Sequence, residues 1–175
     1  MLESCSAAYP DFKYTCLRYF NVAGNNVDGK IGDYEFDKKE NLVPMCLSAI
    51  IGKKSNIKIY GTDYNTKDGT CVRDYIHVDD LANAHISMLN KLDNKTYNIG
   101  NGVGYSVREI IDSCLRVTGK DPEIKESPRR KGDPDYLCAD ASSFREKTGW
   151  IAKITSVDDI TRSAWHWIKK VKRIP

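Results

Sequence analysis

Short apolar runs alternate with helical periodicities along the whole chain, and this alternation limits the fold more than any other feature. Residues 14–20, 57–60, 73–78, 96–100 and 124–126 read as strands. Residues 1–8, 41–51, 106–118 and 142–148 read as helices, as does a segment from Asp79 or Asp80 to about Leu92. A final helix opens at Ser156-Val157-Asp158-Asp159, where Val157, Ile160, Ala164, Trp167 and Val171 recur at the 3–4 spacing of one buried face. Strands and helices intermixed in this way give the α/β class. Local chemistry marks the element ends. Tyr9-Pro10-Asp11 breaks the first helix, and Gly52 ends the second. Ser106-Val107-Arg108-Glu109 has the form of a capping box, and Gly119 stops the helix it opens. Asp79 or Asp80 is the expected cap of the third helix, with Leu81, His85, Met88, Leu89 and Leu92 on one face. Residues 21–39 read as a long polar loop, a length that usually signals function or motion.

The bulk chemistry excludes several classes. A net charge of +3 in 175 residues is too mild for a nucleic-acid partner, and no aromatic–basic alternation suggests one. The basic residues Lys169, Lys170, Lys172 and Arg173 read as cations favoured at a helix C-terminus. No apolar stretch reaches membrane-spanning length, and no signal-peptide pattern opens the chain. The six cysteines form no C-x-x-C, and no histidine lies at metal-ligand spacing from them, so no metal site is expected. Free cysteines in apolar runs fit a reducing, cytoplasmic setting.

Three polar segments carry the candidate chemistry: residues 17–24, 69–78 and 128–134. Arg73 and Arg130 are the strongest anion binders, since a guanidinium presents a planar fork to phosphate oxygens. The competing reading pairs each with a carboxylate such as Asp74 or Asp133. Asn21 follows an apolar strand, where ligands of open α/β sheets collect, and would either donate to a ligand oxygen or stabilise its own turn. Asp133, between Gly132 and Pro134, would present a carboxylate to sugar hydroxyls or serve as an ordinary turn residue. Tyr60 and Tyr75 read as core more than as a ligand shelf, and His77 as a structural imidazole with no nucleophile beside it. No catalytic residue is assigned. A glycine-rich dinucleotide loop is absent from the sequence, and a Tyr-x-x-x-Lys pair is expected to be absent too.

These residues and their surroundings resemble the C-terminal half of the UDP-glucose 4-epimerase (UDP-galactose 4-epimerase) family, within the extended short-chain dehydrogenase/reductase superfamily. The resemblance rests on LRYFNVAG (17–24), NLVP (41–44), IYGTDYNTKDGTCVRDYIHVDDLANAH (59–85), YNIGNGVGYSV (97–107), PRRKGDP (128–134) and AWHWI (164–168). It implies the C-terminal, substrate-binding part of an extended Rossmann-type fold, with the dinucleotide-binding half lying outside this chain. Met1 aligns just after the start of that family's Tyr-x-x-x-Lys helix. Residues 1–24 would be a remnant of the NAD-binding domain and 25–175 mainly a UDP-sugar-binding domain, with 70–100 a candidate to return to the Rossmann sheet.

The resemblance also implies roles. Phe20 would sit near the nicotinamide of NAD. Asn21 would contact the diphosphate region, and Asn41 and Leu42 the substrate. Lys58, Ile59 and Tyr60 would line the uracil pocket, largely through backbone groups. Arg73 and Arg130 would neutralise the diphosphate, Asp133 would take the ribose hydroxyls, and Lys131 and Gly132 share that loop. Leu137 aligns with the family's variable position near the sugar, where a large aromatic would crowd a 2-acetamido group. The family interconverts UDP-glucose and UDP-galactose with bound NAD, and commonly forms homodimers. This chain alone is expected to lack turnover. The alternatives are a non-catalytic UDP-sugar-binding module, or an epimerase acting on UDP-pentoses or UDP-N-acetylhexosamines.

Overall fold

The computed structural model describes residues 1–174, and Pro175, the last residue of the expected UDP-sugar-binding segment, lies outside the described residues. The chain is a mixed α/β structure of eight short strands and six α-helices among the described residues. In order these are α1 (Leu2–Ala8), β1 (Thr15–Tyr19), β2 (Asn21–Ala23), α2 (Leu42–Ile50), β3 (Ile57–Tyr60), β4 (Val72–His77), α3 (Val78–Met88), β5 (Lys95–Ile99), β6 (Gly104–Ser106), α4 (Val107–Thr118), β7 (Ile124–Ser127), β8 (Tyr136–Leu137), α5 (Ser142–Thr148) and α6 (Val157–Lys172). A 3₁₀ turn covers Phe36–Lys38. No helix among the described residues is long and apolar enough to cross a membrane.

The strands pair in three groups. β1 runs parallel to β5, from Thr15↔Lys95 to Tyr19↔Ile99. β3 runs parallel to β7. β4 is the central strand of the third group, parallel to β2 and β8 and antiparallel to β6. Because side chains alternate across a strand, β4 feeds two cores. Tyr75 joins the cluster built by α2, β3, α4 and α6, which includes Leu47, Ile59, Ile110 and Ile160. Ile76, the next residue, joins the cluster of Leu81, Tyr97, Ile99, Phe144 and Trp150. The helices of the first core are those whose periodicity is plainest. α6 buries Val157, Ile160, Ala164 and Trp167 as its spacing requires. α4 carries the full capping box: Ser106 Oγ accepts from Glu109 N–H at 3.0 Å, and Glu109 Oε2 accepts from Ser106 N–H at 2.8 Å. Gly119 ends that helix at φ 65°.

Three sequence expectations need correction. Residues 21–23 are a strand rather than the start of a loop, because Asn21, Val22 and Ala23 find a partner in Tyr75, Ile76 and His77. The cap of α3 is His77, whose Nδ1 accepts from Asp79 N–H at 3.1 Å. The two aspartates instead tie loops down. Asp79 accepts from Val27 N–H at 3.0 Å, and Asp80 accepts from Lys153 and Ile154 N–H at 3.0 and 2.8 Å. Finally α3 stops at Met88 and buries Leu81, Ala84 and Met88, leaving Leu89 and Leu92 exposed.

Candidate functional site

Arg73 on β4 shows how the fold aims a side chain. Its Nη1 donates to the carbonyls of Val72 and Pro134, both at 2.8 Å, which fastens the 128–135 loop beside the strand. Its Nη2 lies 3.6 Å from Asp133 Oδ1, too far for a hydrogen bond, and this buried donor has no partner. An unpaired buried donor is costly. The side chain that carries it lines a cleft of ≈ 310 Å³.

The cleft is lined by Asn21, Glu40, Asn41, Leu42, Met45, Lys58, Tyr60, Cys71, Arg73, Tyr75, Val107 and Arg130. A recess of ≈ 450 Å³ extends it, sharing Glu40, Met45, Lys58, Tyr60 and Arg130 and adding Lys54, Ser55 and Asn56. Lys58, Arg73 and Arg130 set three cations against the one carboxylate of Glu40 in the first cleft. The N-terminus of α2 borders it through Asn41 and Leu42, and a helix N-terminus favours an anion. Asn41 makes no side-chain capping bond there, so its amide is not committed to the helix.

Arg130 donates through Nε to Asp133 Oδ2 at 2.9 Å and lies 5.1 Å over the Tyr60 ring. Asp133 is therefore the counterion of both arginines, combining the two readings of those arginines in one place. Asn21 donates through Nδ2 to the Asp74 carbonyl at 3.2 Å. Burial pushes the Cys71 thiol and the Tyr75 phenol up from their ordinary values, so both stay protonated near neutrality. His77 is fully buried outside the cleft, with Nε2 3.0 Å from Ser163 Oγ. The arrangement offers cations and donors to an anion.

Seven of the sequence candidates meet in the cleft: Asn21, Asn41, Leu42, Lys58, Tyr60, Arg73 and Arg130. Asp133 adjoins it through both arginines, and the rest lie elsewhere. Ile59 is buried in the first core, so only its backbone remains for any ligand contact. Lys131 and Gly132 form the exposed turn closed by Asp133 N–H to Arg130 O at 3.3 Å. Leu137 stands opposite Arg73 in the β4–β8 ladder. Phe20 is exposed between β1 and β2. Sequence reasoning missed Glu40, Met45, Cys71 and Val107 as cleft residues, while Tyr75, read as core, is buried in the first core and also borders the cleft. Period-two counting from Arg73 would have found Tyr75 on the same face of β4 and Cys71 one residue before the strand. Tyr-x-x-x-Lys spacing, expected to be absent, occurs at Tyr9/Lys13 and Tyr34/Lys38. Neither pair lies on an α-helix, where residues four apart sit on one face, and both tyrosines are exposed and absent from the cleft lining.

Residues 1–100 match the NAD dependent epimerase/dehydratase family. UDP-glucose 4-epimerase of Halalkalibacterium halodurans is 40% identical over 97% of this chain and 52% of its own length. The crystal structure of UDP-glucose 4-epimerase from Bifidobacterium longum in complex with NAD+ and UDP aligns with TM-score 0.85 and 36% identity, over 96% of this chain and 51% of that one. The UDP-Glc/GlcNAc 4-epimerase of Campylobacter jejuni aligns with TM-score 0.80 and 40% identity, over 97% of this chain and 52% of that one. The chain thus spans about half the length of the relatives it matches.

Proposed function

The chain belongs to the NAD dependent epimerase/dehydratase family, and from that premise we propose that its cleft grips the uridine diphosphate of a nucleotide sugar, as the substrate-holding half of a UDP-glucose 4-epimerase. The observation that carries this reading is the convergence of Lys58, Arg73 and Arg130 on one cleft, Arg73 keeping a guanidinium nitrogen without a hydrogen-bond partner. On binding, the two arginines exchange Asp133 for phosphate oxygens, and Asp133 is released toward the ribose hydroxyls. Lys58 and Tyr60, at the edge of β3, face the base. Holding the nucleotide firmly and the hexose loosely places binding energy on the part that does not react. The hexose can then turn over within the site, which interconversion of UDP-glucose and UDP-galactose requires.

NAD, the family's cofactor, supplies a hydride acceptor and donor when bound. The residues present do not fit it by themselves. The β4–α3 junction places Asp79 and Asp80 in the first helical turn, where a pyrophosphate would be repelled. At the β6–α4 junction the capping box already occupies two of the free donors. Phe20 is then the candidate contact that the resemblance leaves among the described residues, and no hydride step is derived from this chain. Leu137, smaller than an aromatic and 37% exposed beside Arg73, supports a second substrate class, the UDP-N-acetylhexosamines.

Calorimetry with UDP tests the grip. Charge-assisted hydrogen bonds contribute about 1.5–3 kcal/mol each, so Arg73→Ala should weaken binding by roughly 10- to 150-fold. Arg73→Ala/Arg130→Ala should weaken it further. A double variant that binds UDP within about twofold of the parent, below 0.5 kcal/mol, would refute the reading. The same preparation of these 175 residues, given UDP-galactose and NAD, should show no turnover.

A further inference from the structure

The turn-rich segment between β3 and β4 contributes nothing to the cleft lining before Cys71, yet it holds the loop that does. Arg129 and Arg130 are neighbours that point opposite ways. Arg130 lies over Tyr60 at the cleft. Arg129 turns back onto the segment: its Nε donates to Asp63 Oδ1 at 2.6 Å, its Nη2 donates to the Asp63 carbonyl, and its guanidinium carbon lies 4.1 Å over the Tyr64 ring. Asp135, further along the loop, accepts from Asn65 N–H at 3.1 Å. At the other end, Gly61 N–H donates to Ser127 O at 2.8 Å, just beyond the last β3–β7 pair. The stretch carrying Arg130 and Asp133 is therefore fastened at both ends to residues 61–65.

Two further observations concern the same contact. Tyr64 is only 4% exposed, although it sits in a turn and belongs to neither hydrophobic core, and its hydroxyl has no partner. Gly61 adopts φ +84°, and a Cβ there would come within 2.5 Å of Tyr64 Cε2 and 2.6 Å of Arg129 Cγ. A missing side chain at Gly61 is thus what lets the ring and the arginine close on the backbone.

We propose that Arg129 is a positioning residue for the nucleotide cleft: with Asp63, Tyr64 and Gly61 it forms a latch that fixes the reach of Arg130 and Asp133. The inference rests on the reading of the cleft as a UDP-sugar site. An exposed ion pair alone would fix little. The planar fork and the stacking face restrict orientation as a point charge cannot. Because the latch touches neither core, opening it should spare the fold and move the loop.

The test is UDP and uridine calorimetry with thermal unfolding, on the full-length protein, for Arg129→Ala, Arg129→Lys and Gly61→Ala. All three should bind UDP about tenfold more weakly, a change of 1.4 kcal/mol. Uridine should lose less than about threefold, and the unfolding midpoint of the Arg129 variants should stay within about 2 °C of the parent, the scatter of a surface substitution. Full recovery in the lysine variant would show that charge alone matters, and would overturn the latch. So would UDP affinity within about twofold of the parent in both alanine variants, or equal losses for UDP and uridine with a lowered midpoint. A parent that does not bind UDP sinks the cleft reading and the latch with it, whereas a binding parent with equally binding variants sinks the latch alone.

Discussion

Replacing Asp74 by asparagine should be among the most damaging isosteric changes available to this chain. The side chain is 1% exposed on β4. Its Oδ1 accepts from Asn101 N–H at 2.8 Å, and its Oδ2 accepts from Gly102 N–H at 3.0 Å and Ala139 N–H at 3.2 Å. Cys138 Sγ lies 3.4 Å from the same oxygen. One carboxylate thus satisfies the turn after β5 and the chain leaving β8, and it sits one residue from Arg73. In the amide, the oxygen can stay with Gly102 and Ala139, which leaves the NH₂ facing Asn101 N–H, a donor with no other acceptor. The lost charge-assisted bond is worth about 1.5–3 kcal/mol and the two that become neutral weaken by about 0.5–1 kcal/mol each, which gives roughly 2.5–5 kcal/mol. Relaxation of the Asn101–Gly102 turn toward solvent would bring the observed loss to the lower end, about 3 kcal/mol. For a chain of this size that lowers the unfolding midpoint by about 6–12 °C. Urea titration followed by circular dichroism measures it, with the exposed Asp112→Asn as a control expected within about 0.5 kcal/mol of the parent. UDP affinity should fall together with stability, because β8 and Pro134 move with Ala139. An Asp74→Asn variant within about 1 kcal/mol of the parent would show that the Asn101 N–H finds another acceptor, and would refute the argument.

Two further outcomes follow from the caps. Ser106→Ala removes the acceptor for Glu109 N–H and the hydroxyl that donates to Asp68 Oδ2, and should cost about 2.5–4 kcal/mol in the same urea assay, with Ser106→Gly recovering at most the share of the cap. His77 gives a pH dependence: burial pushes its pKa below the ordinary 6.5, with Asp79 and Asp80 opposing that shift, while Nδ1 accepts from Asp79 N–H and Nε2 faces Ser163. The unfolded chain therefore binds a proton that the folded chain refuses, so stability should be full above pH 6.5 and decline as pH falls from there toward the folded pKa. A His77→Gln variant should flatten the profile just below pH 6.5, and an unchanged slope would assign it to other groups.

What could be read from the sequence was local. The Ser106–Glu109 box, the left-handed Gly119 and the spacing of α6 each depend on residues within one or two turns, and each stands as written in the chain. The failures share a different cause. Asn21, Val22 and Ala23 carry no strand signal of their own and become a strand because β4, more than fifty residues later, offers its free edge. The cap of α3 falls to His77 because Asp79 and Asp80 are recruited by distant backbone at Val27 and at residues 153–154. Aspartate at a helix start is ordinarily the better cap, so only the tertiary demand reverses the choice. The candidate site divides the same way. Its arginines stood out by charge, while Glu40, Met45 and Val107 reach the cleft through packing of α2 and α4 that no spacing announces.

β4 explains why the cleft lies where it does. Alternation sends Cys71, Arg73 and Tyr75 toward the α2 side, and Asp74 and Ile76 toward the α5 side. The strand is paired along its length, to β6 and β8 at one end and to β2 at the other. A one-residue slip would exchange the two faces, burying a guanidinium beside Phe144 and leaving the Gly102 and Ala139 N–H groups without Asp74. Each of those errors costs several kcal/mol, comparable with the whole stability of a domain. The register that protects the two cores is therefore also the one that aims Arg73, and the cleft inherits its precision from groups that never touch a ligand.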